Sequence, residues 1–146
     1  MLVGRISIHG EDCGRYHFAR TTHILLWALL EPARLSKRVA TALQDPANEL
    51  WVSPISTWEM ILLAEKGRVI LEPDPATWIR KVYRTIAFQE AVLNHEVAIQ
   101  SRSVDLPYQD PADRFLIASA RVYDLTLVTA DDRLLHFKQA SILPNR

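Results

Sequence analysis

The chain has 146 residues, 49% of them hydrophobic, enough for one domain with a sizeable core. Its 17 basic and 17 acidic residues give a formal net charge of zero. No global field therefore recruits nucleic acid, and an RNA- or DNA-binding role must rest on a local patch. The single cysteine, Cys13, excludes an internal disulfide and fits a reducing compartment, where it reads as an inert thiol. The longest apolar run, Ile24 to Leu30, is far short of the roughly 18 residues of a membrane span. His9, Glu11 and Asp12 fall where a signal peptide would be apolar. The expectation is a soluble cytoplasmic protein with one domain over residues 1–146, of which 1–21 form an atypical N-terminal segment.

Leu2 to Ile8 alternates well enough for a strand, which His9 to Gly14 breaks, and Tyr16 to Arg20 can form a second short one. Thr22 can cap an almost wholly apolar, buried helix that Glu31-Pro32 ends. Ser36 caps a more amphipathic helix over 37–44, and a turn at 45–48 leads to a short strand at 49–52. Ser53-Pro54 opens the next helix and Gly67 closes it. On that helix Ile55, Trp58, Glu59, Leu62, Leu63 and Lys66 share one face. Val69 to Leu71 reads as a brief extended piece. Asp74-Pro75 caps a helix over 76–87 with Trp78, Ile79, Val82 and Ile86 inward. Its Arg80, Lys81 and Arg84 form either a solvated face or part of a phosphate-binding rim. A possible strand at 90–93, an Asn94-capped helix over 95–103 and a loop at 106–109 follow. A helix then starts at Asp110-Pro111. Leu125 to Thr129 is the cleanest strand in the chain, running into a short helix after Asp131. Ile142-Leu143 can add an edge strand. Strands alternating with helices of this length imply an α/β fold with a mostly parallel sheet covered on both faces.

Three carboxylates are misplaced for simple solvation. Helical spacing puts Asp113 on one face with Leu116, Ile117 and Ala120. A carboxylate heading an apolar stripe must be hydrogen-bonded, charge-paired or bound to a cation. The plainer alternative makes Asp110 an N-cap and Asp113 the third-position acid of a capping box. Glu59 lies in a similar stripe, or else is a salt-bridged edge glutamate. Asp131 stands at the carboxyl end of a strand, where open α/β sheets place ligands, or merely caps a helix. Three acids gathered at one end of a sheet cannot all stay ionised without a cation between them. Oxygen ligands without His/Cys pairs favour Mg²⁺ or Mn²⁺, the ions used in phosphodiester hydrolysis.

Four segments carry a family resemblance. Thr22-His23-Ile24-Leu25-Leu26-Trp27-Ala28-Leu29, Val52-Ser53-Pro54-Ile55-Ser56-Thr57-Trp58-Glu59, Asp110 to Ala118 and Leu127-Val128-Thr129-Ala130-Asp131 resemble the PIN-domain ribonucleases of VapC-type toxins, in order and spacing, across residues 21–146. The resemblance implies a PIN-like three-layer α/β/α sandwich with a mostly parallel central sheet. It also implies Mg²⁺- or Mn²⁺-dependent endoribonuclease activity, a homodimer and inhibition by a small VapB-type antitoxin. The family's acidic positions fall on Glu59, Asp113 and Asp131 as catalytic, metal-binding residues, with Asp110 and Asp132 as helpers. Arg114 and Arg133, each beside an expected ligand, either hold RNA phosphates or balance the acids. His23 has no nucleophile placed for it and reads as helix packing.

One departure matters. The family carries an aspartate directly before Thr-His, and here that position is Thr21, whose neutral hydroxyl is a much poorer metal ligand. Three readings stay open: a weakened or inactive nuclease that still binds its partner, replacement of the acid by Glu11 or Asp12, or a displaced reading of the gene over the first 21 residues.

Overall fold

The computed structural model describes the backbone of residues 2–6, 14–17 and 21–146, and side chains from residue 23 onward. The readings of Glu11, Asp12 and Cys13 lie outside the described residues. Strands β1 (Leu2–Ile6) and β2 (Gly14–His17) precede helix α1 (Thr21–Leu30), a single 3₁₀ turn (Pro32–Arg34) and α2 (Lys37–Gln44). Then come β3 (Glu49–Val52), α3 (Pro54–Glu65), α4 (Pro75–Thr85), β4 (Gln89–Glu90), α5 (His95–Ser101), α6 (Pro111–Val122), β5 (Thr126–Thr129), a second 3₁₀ turn (Asp132–Leu134) and β6 (Ser141–Pro144).

Local chemistry sets most of these boundaries. Ser36, Ser53, Asp74, Asn94 and Asp110 all cap helices, each side-chain oxygen accepting a backbone N–H of the first turn. Pro54, Pro75 and Pro111 follow in the first turn, where a missing N–H costs nothing. Gly67 closes α3 with φ of 67°, its N–H donating to the Ala64 carbonyl and that of Arg68 to Leu63. Asp124 ends α6 in the same way at φ 52°, and the Leu125 N–H donates to the Ala120 carbonyl. That tight stop sends the chain straight into β5.

The sheet order is β4-β3-β1-β2-β5-β6. Neighbours β3–β4, β2–β5 and β5–β6 are parallel, while β1 runs antiparallel to β2, β3 and β5. The sheet is thus mostly parallel, with one reversed strand. Alternation along the strands divides the core in two. On one face Val52, Val128 and Leu143 pack with Ile24 and Leu25 of α1, Val39 of α2, Met60 of α3 and Ile79 of α4. On the other, Leu125 and Leu127 pack with Val97 of α5 and Leu116, Ile117 and Ala120 of α6. This is the expected α/β/α sandwich.

Three local expectations are corrected. Residues 69–71 belong to no strand, and the strand expected at 90–93 is Gln89–Glu90, beyond which only the Ala91 N–H still donates to the Val52 carbonyl of β3. On α3 the inward face is Ser56 and Met60, and Trp58 is 53% exposed. Trp58 satisfied helical spacing as a core residue because apolar residues surround this helix, so periodicity alone could not orient it.

Leu127, fully buried between the sheet and α6, should cost about 3 kcal/mol when truncated to alanine. Ile70→Ala, at a position 78% exposed, should change stability by less than about 0.5 kcal/mol. Urea unfolding of the two variants checks both values.

Candidate functional site

Parallel strands leave their carboxyl ends at one edge of the sheet, and helices returning to the next strand begin there. α6 starts at that edge and presents Asp113 in its first turn, while β5 ends there and delivers Asp131 two residues later. Both carboxylates are buried, Asp113 at 3% and Asp131 at 4% exposure.

One cation joins them. The Arg133 guanidinium donates from Nε to both Asp131 oxygens at 3.0 Å and from Nη2 to Asp131 Oδ2 at 2.6 Å. The same Nη2 lies 3.8 Å from Asp113 Oδ2. Asp131 Oδ1 also accepts the Arg133 backbone N–H at 3.0 Å, capping the 3₁₀ turn. Capping and ion pairing are therefore combined in one side chain, for which the sequence left ligand binding and helix capping as the alternatives. Beneath the pair, the Tyr108 hydroxyl donates to Asp113 Oδ2 at 2.9 Å, and its ring supports the guanidinium at 4.0 Å from the centroid. Asp110 Oδ1 accepts the Asp113 backbone N–H at 3.3 Å as the helix cap. Asp113's own carboxylate is directed at Tyr108 and Arg133.

The electrostatics follow from this burial. Desolvation, then the Asp110 and Asp131 charges, push Asp113 up to about 6, against the Tyr108 hydrogen bond and Arg133, which favour its ionised form. The Tyr108 phenol is also raised, first by burial and then by Asp113. Arg133 is held firmly cationic, chiefly by its hydrogen bonds to Asp131.

The other expected residues are distributed differently. Asp132 is exposed and pairs with Arg146 at 3.2 Å. One Arg114 nitrogen donates to the Val104 carbonyl, fastening α6 to the preceding loop. Glu59 is half-buried in the second turn of α3. Among the described residues, no three acids, histidines or cysteines converge as a metal-holding group. The structure thus brings Asp113 and Asp131 together on one arginine. Thr21 is the first residue of α1, and His23 is exposed with its ring 5.9 Å from Trp27. Tyr108, which contacts both Asp113 and Arg133, falls in a stretch whose pattern predicts only a loop. Its signal was an aromatic five residues before a misplaced acid. Among the described residues, no helix is long and apolar enough to cross a membrane.

The α/β/α sandwich agrees with the comparison to known proteins. Residues 22–140 match the PIN domain family, and the chain belongs to it. Over 116 residues it is 34% identical to Ribonuclease VapC22 of Mycobacterium tuberculosis (strain ATCC 25618 / H37Rv). That match covers 77% of this chain and 85% of the relative.

The raised Asp113 carboxyl sets a pH signature. Its folded value near 6 lies above the ordinary 3.8, so the native state binds the extra proton between those values and stability falls as pH rises through them. Asp113→Asn should therefore stabilise the metal-free protein at pH 7 by on the order of 2 kcal/mol, with the gain fading towards pH 4. Thermal melts across that range in a chelator check the sign.

Proposed function

We propose that the chain is a metal-dependent endoribonuclease toxin of the VapC type, hydrolysing RNA phosphodiesters in the cytoplasm. The observation that carries this reading is the buried Asp113–Asp131 pair converging on a single cationic nitrogen. Family membership and the ribonuclease relative support it independently. The donor set fits a hard divalent ion: it consists of carboxylate oxygens, and the pair already requires a positive charge between its two members. Asp113 and Asp131 would hold Mg²⁺ or Mn²⁺, with Glu59 contributing from α3 and Asp110 and Asp132 bearing on the site as further negative charge. Such an ion supplies activated water and offsets charge developing on the phosphodiester.

The chain's own residues prepare that chemistry. Tyr108 holds the Asp113 carboxylate in one orientation through its hydroxyl. The Thr129 hydroxyl accepts the Asp131 N–H at 2.9 Å and fixes the turn that carries this second acid. Arg114 keeps α6 at its depth, and Arg133, at the acid pair, is the cation available to an incoming phosphate. Inhibition by a VapB-type antitoxin and assembly as a homodimer complete the reading. Exposed Trp58, Ile70 and Ile99 are apolar surface that partner chains would cover.

Thr21 favours a second reading, in which the PIN-like domain is catalytically weak and acts by binding its antitoxin. Cleavage of RNA in Mg²⁺ and Mn²⁺ distinguishes the two. The natural protein should cut slowly, Asp113→Asn and Asp131→Asn should each lose at least about 100-fold, and Thr21→Asp should be faster than the natural chain. A silent natural protein beside an active Thr21→Asp establishes the second reading. Silence from every version removes the enzyme altogether.

A further inference from the structure

We propose that Arg133 is a built-in competitor for the divalent ion, an internal cation that closes the Asp113–Asp131 site until metal displaces it. This rests on the reading of those two acids as the metal-binding pair. Arg133 engages both Asp131 oxygens, its Nη2 also stands 3.8 Å from Asp113 Oδ2, and the guanidinium carbon lies 4.0 Å from the centre of the Tyr108 ring.

A divalent ion sits only about 2.0–2.2 Å from carboxylate oxygens. With Arg133 still bonded to Asp131 Oδ2, the two cations would be a few ångströms apart beside carboxylates only 4% exposed, and like charges at that distance repel. Both therefore cannot occupy the pair. The asymmetry of burial indicates which one moves: the acids are fixed within the fold, with side chains 4% exposed, whereas the Arg133 side chain is 43% exposed and has solvent to swing into. Its position two residues after Asp131 makes the contact purely local, so release requires only new side-chain rotamers and leaves the sheet and α6 undisturbed. The residue thus sets the metal concentration at which the site opens. In the metal-free state it also keeps two buried carboxylates from facing each other uncompensated.

Calorimetric titration with Mn²⁺ alone, without RNA, tests this. Arg133→Ala should bind Mn²⁺ at least about tenfold more tightly than the natural protein. Arg133→Lys, which keeps the charge but loses the fork, should fall between them. Equal or weaker binding by Arg133→Ala, the result of a merely structural arginine, overturns the proposal. Should that variant fail to fold, the natural protein supplies a second readout: the Arg133 Nε–H resonance must shift as Mg²⁺ is added. A resonance that stays fixed while the Asp131 carboxyl signal moves also overturns it. If the natural protein cleaves RNA but Arg133→Ala shows no gain in Mn²⁺ affinity, competition fails and the ribonuclease reading stands. If neither protein binds Mn²⁺, both fail.

Discussion

Two carboxylates buried within reach of one guanidinium are the constraint on which the site end of this fold depends. A carboxylate removed from water is stable only when hydrogen bonds and opposite charge replace its solvation. Asp113 has the Tyr108 hydroxyl, and Asp131 has the Arg133 backbone and side chain, yet Asp113 is still pushed up to about 6. That residual demand for positive charge separates this pair from ordinary helix caps. It also links the site to stability, because the groups that would hold a cation are held together at some energetic cost without one.

The rest of the architecture brings these two side chains to the same place. β5 is buried along its whole length, with Leu127 turned to one core and Val128 to the other, so the position of its carboxyl end is fixed by packing on both faces. α6 is joined to β5 through the left-handed Asp124, and its Leu116 and Ile117 pack on the same face as Leu127. Asp113 at the start of the helix and Asp131 after the strand therefore form the two ends of one rigid helix–strand unit.

Much of this was legible in the sequence. Caps were read most reliably, because an Ser, Asp or Asn followed by proline or by a helical pattern acts through bonds within a few residues; Ser36, Ser53, Asp74, Asn94 and Asp110 all cap as expected. Asp113 was found by its face, and Asp131 by its place after the clearest strand. Trp58 was misassigned because α3 is apolar on several sides, and residues 91–93 because a short apolar run carries no information about whether a partner strand exists. Tyr108 was invisible for another reason: its contact depends on where a loop passes in three dimensions, which spacing along the chain does not encode. Arg133 was legible from its place beside Asp131 as a cation that either balances the acids or holds phosphate, and the structure pairs it with the acids.

Whether the Asp113–Asp131 pair is a cation site can be decided without RNA, by measuring the melting temperature of the natural protein as Mn²⁺ is raised to the millimolar range. A ligand that binds only the folded state stabilises it in proportion to the logarithm of its concentration once the site is filled. The melting temperature should climb steadily with Mn²⁺ and stay flat in an Asp113→Asn, Asp131→Asn double variant that melts as a single cooperative unit. A flat profile for the natural protein, or an equal rise in the double variant, would contradict the assignment of these acids as the metal-binding pair.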